Sequence, residues 1–100
     1  MNVTHRYESG LCFGLAEVPV PVNGRVVEVS FFFEIDIKGK TANKYSDGRV
    51  TVEENTVAEF EYKRTGSLVI SSRYFDNIGD YASAIEGAIK DLEFYFKLHE

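Results

Sequence analysis

From Arg25 to Lys38 the chain reads RVVEVSFFFEIDIK. Val27, Val29, Phe31, Phe33, Ile35 and Ile37 fall on odd positions. Val26, Glu28, Ser30, Phe32, Glu34, Asp36 and Lys38 fall on even ones. Side chains along a strand point alternately to its two faces, so this pattern predicts a long β-strand with its odd face buried. The residues are the β-branched and aromatic types that suit a pleated surface. The rest of the chain is expected to cover that odd face.

Upstream, Leu11–Val18 (LCFGLAEV) alternates Leu11, Phe13 and Leu15 against Cys12, Gly14 and Ala16. It reads as a strand whose small side lets another element come close. Pro19 and Pro21 lack amide donors and confine their segment to a sheet edge or an extended connection. Asn23-Gly24 is a hairpin signal, because both residues tolerate positive φ. It pairs part of Leu11–Val22 antiparallel to the long strand. Residues 1–10 are polar, with a short strand around Val3–Tyr7. Downstream, Gly39–Gly48 (GKTANKYSDG) reads as a polar loop, Arg49–Glu53 as a short strand and Glu54-Asn55 as a turn or bulge. Val57–Arg64 alternates again, with Ala58, Phe60 and Tyr62 on one face. A three-residue loop at Arg64-Thr65-Gly66 sets Tyr62 against Leu68 and Phe60 against Ile70. A two-residue loop would set them against Val69 and Ser71. The first register is therefore expected, with Gly66 in the left-handed position and Ser67–Tyr74 as the last strand.

The period then changes. Ile78, Tyr81/Ala82, Ile85, Ala88/Ile89, Leu92 and Tyr95/Phe96 recur every three and four residues, which predicts one amphipathic helix over Asn77–Leu98. Asn77 suits the N-cap, with Asp80 three positions on. Glu86–Lys90 and Glu93–Lys97 are expected as ion pairs on the outer face. Gly79 and Gly87 weaken the helix, and Gly87 is expected to permit close packing on the sheet. Phe94 and Leu98 fall off the stripe, leaving the last turns apolar on more than one side. Strands first and one helix last predict an α+β domain: a single antiparallel sheet of four to five strands with the helix on one face. The stretch SAIEGAIKDLEFYFK resembles in rhythm the helix of small antitoxin domains of the partial RNase H type. The likeness is periodicity alone and implies no function.

Composition narrows the function classes. The 100 residues are 44% apolar and 14% aromatic, enough for the core of one domain. The formal charge of −5 lacks the basic footprint of a nucleic-acid binder. No apolar run approaches the length of a membrane span, and the first residues lack a secretory pattern. Cys12 is the single cysteine, which precludes an intramolecular disulfide and fits a reducing, cytoplasmic setting. His5 and His99 stand near opposite ends, so no metal-ligand spacing arises and no metal or cofactor is expected. No phosphate loop, dinucleotide fingerprint or nucleophile elbow is present. Cys12 sits inside an apolar alternation and reads as a buried thiol. No catalytic constellation is found, and the chain is not expected to be an enzyme.

Two groups of residues remain as candidates. Glu28, Phe32, Glu34 and Asp36 on the even face of the long strand, with Glu59 and Glu61, would form a carboxylate array if their strands were neighbours. Phe32, with Leu11, Phe13 and Leu15, also calls for partial cover of that face by the N-terminal segment or by another subunit. The second group is the loop with Lys40, Lys44 and Tyr45, flanked by Lys38 and Arg49. The reading is a small acidic binding protein of the inhibitor or immunity type, blocking a basic, nucleic-acid-handling site on a larger protein. The alternatives are a self-associating subunit such as a homodimer, and a small-ligand binder or enzyme with a pocket between helix and sheet.

Overall fold

The computed structural model describes residues 1–63, 67–72 and 78–98. Strands β1 (Asn2–Glu8), β2 (Leu11–Val22), β3 (Arg25–Asp36), β4 (Thr41–Val52), β5 (Asn55–Lys63) and β6 (Leu68–Ser72) precede one helix, α1 (Ile78–Phe96). They form one six-stranded sheet in the order β1-β2-β3-β4-β5-β6, every neighbouring pair antiparallel. The helix covers one face. The architecture is the expected α+β layer, with more strands than the four to five expected.

The added strand content comes from the N-terminal segment and from the middle of the chain. The N-terminal residues form a full strand whose partner is β2. More informative is β4, because Gly39–Gly48 is not a loop. Only residues 37–40 turn, and the strand starts at Thr41. Its inward residues are Ala42, Tyr45, Gly48 and Val50, a spacing of three, three and two. The cause is a pair of register shifts against β3, between Ser30 and Phe32 and between Glu34 and Ile35. Each places one extra residue, in the segments around Asp47 and Asn43, on β4. Such bulges break strict alternation, so of this strand only the expected stretch from Arg49 shows in the pattern. Asp47 takes the left-handed conformation there, at φ 49°.

Three hairpins turn through two residues, both with positive φ: Ser9-Gly10, Asn23-Gly24 and Glu53-Glu54. This is the geometry that matches strand twist. The third lies one residue before the expected Glu54-Asn55 and uses two glutamates where Asn and Gly are the usual choice. The Asn55 side-chain amide donates to the Glu53 carbonyl at 3.2 Å and helps hold it. Between β5 and β6, Tyr62 stands opposite Leu68 and Phe60 opposite Ile70, the expected register. The Arg64-Thr65-Gly66 loop and the Asn77 cap lie outside the described residues.

Val27, Val29, Phe31, Phe33 and Ile35 are all buried, as the odd face of β3 requires. Ile37 is not, because β3 ends at Asp36 and Ile37 enters the turn. The helix lies chiefly over β2, whose small residues Cys12 and Ala16 are fully buried beneath it. At Gly14 the Phe33 ring from the opposite strand position fills the space, and a Cβ would come within 2.4 Å of Phe33 Cζ. Phe60 covers Gly48 in the same way. Tyr81, Ala84, Ile85, Ala88, Ile89 and Leu92 make the buried stripe of α1. The Asn23 side-chain amide donates to Asp80 Oδ2 at 2.8 Å, tying the first helical turn to the β2–β3 hairpin.

The C-terminal end corrects two expectations. Lys97 adopts φ 54°, its amide donates to the Phe94 carbonyl, and the Leu98 amide donates to the Glu93 carbonyl. This is the Schellman stop, and it swings the residue after the left-handed position back over the helix. Leu98 is consequently buried at 2% exposure, whereas Phe94 is 83% exposed. The helix thus ends at Phe96, before the expected Leu98, and the Glu93 carboxylate stands near Tyr45 of the sheet.

Gly87 is not the close-packing residue it resembles. A Cβ there would meet only Val20 Cγ1, at 4.0 Å, an ordinary contact. Gly87→Ala is therefore expected to stabilise the fold by about 1 kcal/mol, from helix propensity alone. Urea denaturation at neutral pH checks this.

Candidate functional site

The helix covers one side of the sheet, and among the described residues no element covers the other. The register fixes what that open face carries. The Asn23-Gly24 turn sets Leu15 opposite Phe32, Phe13 opposite Glu34, Leu11 opposite Asp36 and Glu17 opposite Ser30. Leu11, Phe13 and Leu15 are half-buried and Phe32 is 51% exposed. They make an apolar strip along β2 and β3. The N-terminal segment does not cover this strip as expected; it extends the sheet edge as β1, with Thr4 opposite Leu15 and Arg6 opposite Phe13. Arg6 pairs with Glu8 along the strand at 3.8 Å.

Carboxylates and cations surround the strip in alternating strands. Glu28, Glu34 and Asp36 lie on β3 and Glu59 and Glu61 on β5, all directed to the open face. They are not one array, because β4 runs between them. It brings Lys44 opposite Glu34 and Arg49 opposite both Ser30 and Glu59. The Asn43 side-chain amide donates to Glu34 Oε2 at 2.9 Å and fixes that carboxylate. Glu61 reaches Lys63 at 3.9 Å. Carboxylates still outnumber cations across the face, with Glu17 of β2 added to the set.

The second candidate group is dispersed. Lys40 stands in the β3–β4 turn at φ 50°, at the end of the sheet. Lys44 and Arg49 belong to the open face. Tyr45 is 1% exposed, in the core under the helix, stacked edge-on against Phe31 at 5.5 Å. It is no surface aromatic.

Tyr45 instead brings a buried polar atom into the core. Its hydroxyl makes no hydrogen bond of good geometry, and the Glu93 carboxylate is its charged neighbour. Burial, then Glu93, then Tyr62 push the phenol above its ordinary 10.0. A raised pKa means that the folded state holds the proton more tightly than the unfolded chain. The stability tied to the neutral phenol is complete below pH 10 and declines as pH rises past it. Tyr45→Phe is expected to flatten that alkaline loss, seen by comparing urea midpoints of both proteins at about pH 8 and 11. Cys12 is fully buried, and burial raises its thiol above the usual range, which keeps it protonated and unreactive at neutral pH.

Two depressions mark the open face. One, of about 330 Å³, is lined by Leu15, Glu17, Glu28, Ser30, Phe32, Asp47, Arg49 and Thr51. The other, of about 310 Å³, lies toward β6 and shares Asp47 and Arg49 with the first. Among the described residues no group of three or more His, Cys, Asp and Glu is placed to hold a metal ion, and no helix is long and apolar enough to cross a membrane.

Glu28, Phe32, Glu34, Asp36, Glu59 and Glu61 are the expected residues of this face; Glu17 is not among those expected, and Arg49 is expected beside a loop. The signal for Glu17 is present in the Asn23-Gly24 turn, which fixes its opposite number as Ser30. Comparison with protein-family models, with curated proteins and with solved structures finds no match for this chain.

Proposed function

We propose that this chain is a non-enzymatic binding protein that lays its open sheet face on a basic surface of a larger protein and so blocks that surface. One observation carries the reading: Phe32 stands half-exposed beside Leu11, Phe13 and Leu15, with an excess of carboxylates around them. An apolar centre within a charged rim is the anatomy of a protein interface, where the centre supplies affinity and the rim supplies steering and register. The charge pattern selects the partner. Lys44 and Arg49 temper the carboxylates without cancelling them, so a basic surface is favoured. A protein that handles nucleic acid bears such a surface.

The experiment is capture of tagged protein complexes from the native cell at low and high salt. The expected result is a stoichiometric partner that is depleted at high salt and lost when Glu59 and Glu61 are both changed to Lys. A homo-oligomer that persists at both salts, with no other protein bound, would overturn the reading and assign the apolar strip to self-association.

A further inference from the structure

We infer that the depression over Ser30 is a socket for one arginine side chain of that partner, an inference that rests on the open face being the docking surface. The register builds the socket. Ser30 stands opposite Glu17 on β2 and opposite Arg49 on β4, and its same-face neighbours along β3 are Glu28 and Phe32. Serine is shorter than all four, so the surface dips at its position and leaves about 330 Å³ between them. The walls differ in kind. Phe32 and Leu15 give an aromatic and apolar side; Glu17, Glu28 and Asp47 give carboxylates.

That pairing of walls selects the occupant. A flat guanidinium stacks on an aromatic ring and donates two parallel hydrogen bonds to a carboxylate. A compact ammonium gains less from the ring. An anion would face three carboxylates, and the one cation in the wall, Arg49, is already opposite Glu59. The depression lies open on the sheet surface and does not enclose a small molecule, which suits a side chain brought by a docked surface.

The test uses the whole protein and two small probes, N-acetyl-arginine amide and its neutral citrulline counterpart, followed by backbone amide NMR. Arginine amide is expected to give saturable shifts at Glu17, Ser30, Phe32 and Arg49, with millimolar affinity, and citrulline amide none. Ser30→Leu fills the dip and Glu28→Gln removes a carboxylate. Each is expected to weaken binding at least fivefold, while Glu86→Gln on the helix leaves it unchanged. Folding of each variant is read from the dispersion of the same spectra. Shifts that do not saturate, that are equal for citrulline, or that spread equally to Glu53, Glu54 and Glu86 would overturn the socket. Capture of the partner through Phe32 together with such a failure would remove the socket and leave the docking face. Arginine binding without partner capture would do the reverse.

Discussion

Gly14→Ala is expected to cost at least about 3 kcal/mol, the upper end for overpacking a filled site, and to lower the melting temperature by about 15 °C. The substituted Cβ would come within 2.4 Å of two atoms at once, Phe33 Cζ and the Thr4 carbonyl oxygen. The ring can be shortened, but the carbonyl belongs to the backbone of β1 and cannot yield without moving that strand. Adding Phe33→Leu should therefore restore only part of the loss. Thermal denaturation followed by circular dichroism measures both steps, and hydrogen exchange should show β1 losing protection first. Full recovery in the double variant would mean that the ring alone sets the constraint.

Phe31→Ala is the second large effect, expected at about 3–5 kcal/mol. Phe31 is fully buried, and its ring packs against Tyr45 at 5.5 Å and Phe60 at 6.0 Å. Truncation leaves a cavity and removes two aromatic contacts that join β3, β4 and β5. Phe94→Ala, on an 83% exposed helical position, is expected within about 0.5 kcal/mol of the parent. Urea denaturation of the three proteins gives the comparison. A domain at the lower end of the usual range, about 5 kcal/mol, keeps little margin after Phe31→Ala.

The legible parts of this fold are those where one period runs without interruption. The odd face of β3 is buried from Val27 to Ile35, and the stripe of α1 is buried from Tyr81 to Leu92. The β5–β6 register followed from matching apolar residues across the turn. The end of β4 is legible as a short strand from Arg49, but its first part escaped, because its bulges change the spacing of inward residues and a bulge is set by neighbouring strands that a local pattern does not contain. The same cause moved Tyr45 from an apparent loop to the core. Leu98 was misplaced for a different reason. Helical periodicity assumes that the helix continues, and the left-handed Lys97 ends it. The open face was half legible. Its carboxylates could be read from parity, but the cations between them required the strand order, which depends on β4 being a full strand.

The proposed binding mode sets the sheet face, not the helix, against the partner. Two exposed phenylalanines separate these alternatives, Phe32 on the sheet at 51% exposure and Phe94 on the helix at 83%. The decisive measurement is the affinity of the captured partner for Phe32→Asp and for Phe94→Asp, with folding confirmed for each. Loss of at least about 30-fold for Phe32→Asp, the scale of an interface hot spot, with Phe94→Asp unchanged is the predicted result. Unchanged binding by Phe32→Asp, with loss confined to Phe94→Asp, would contradict it.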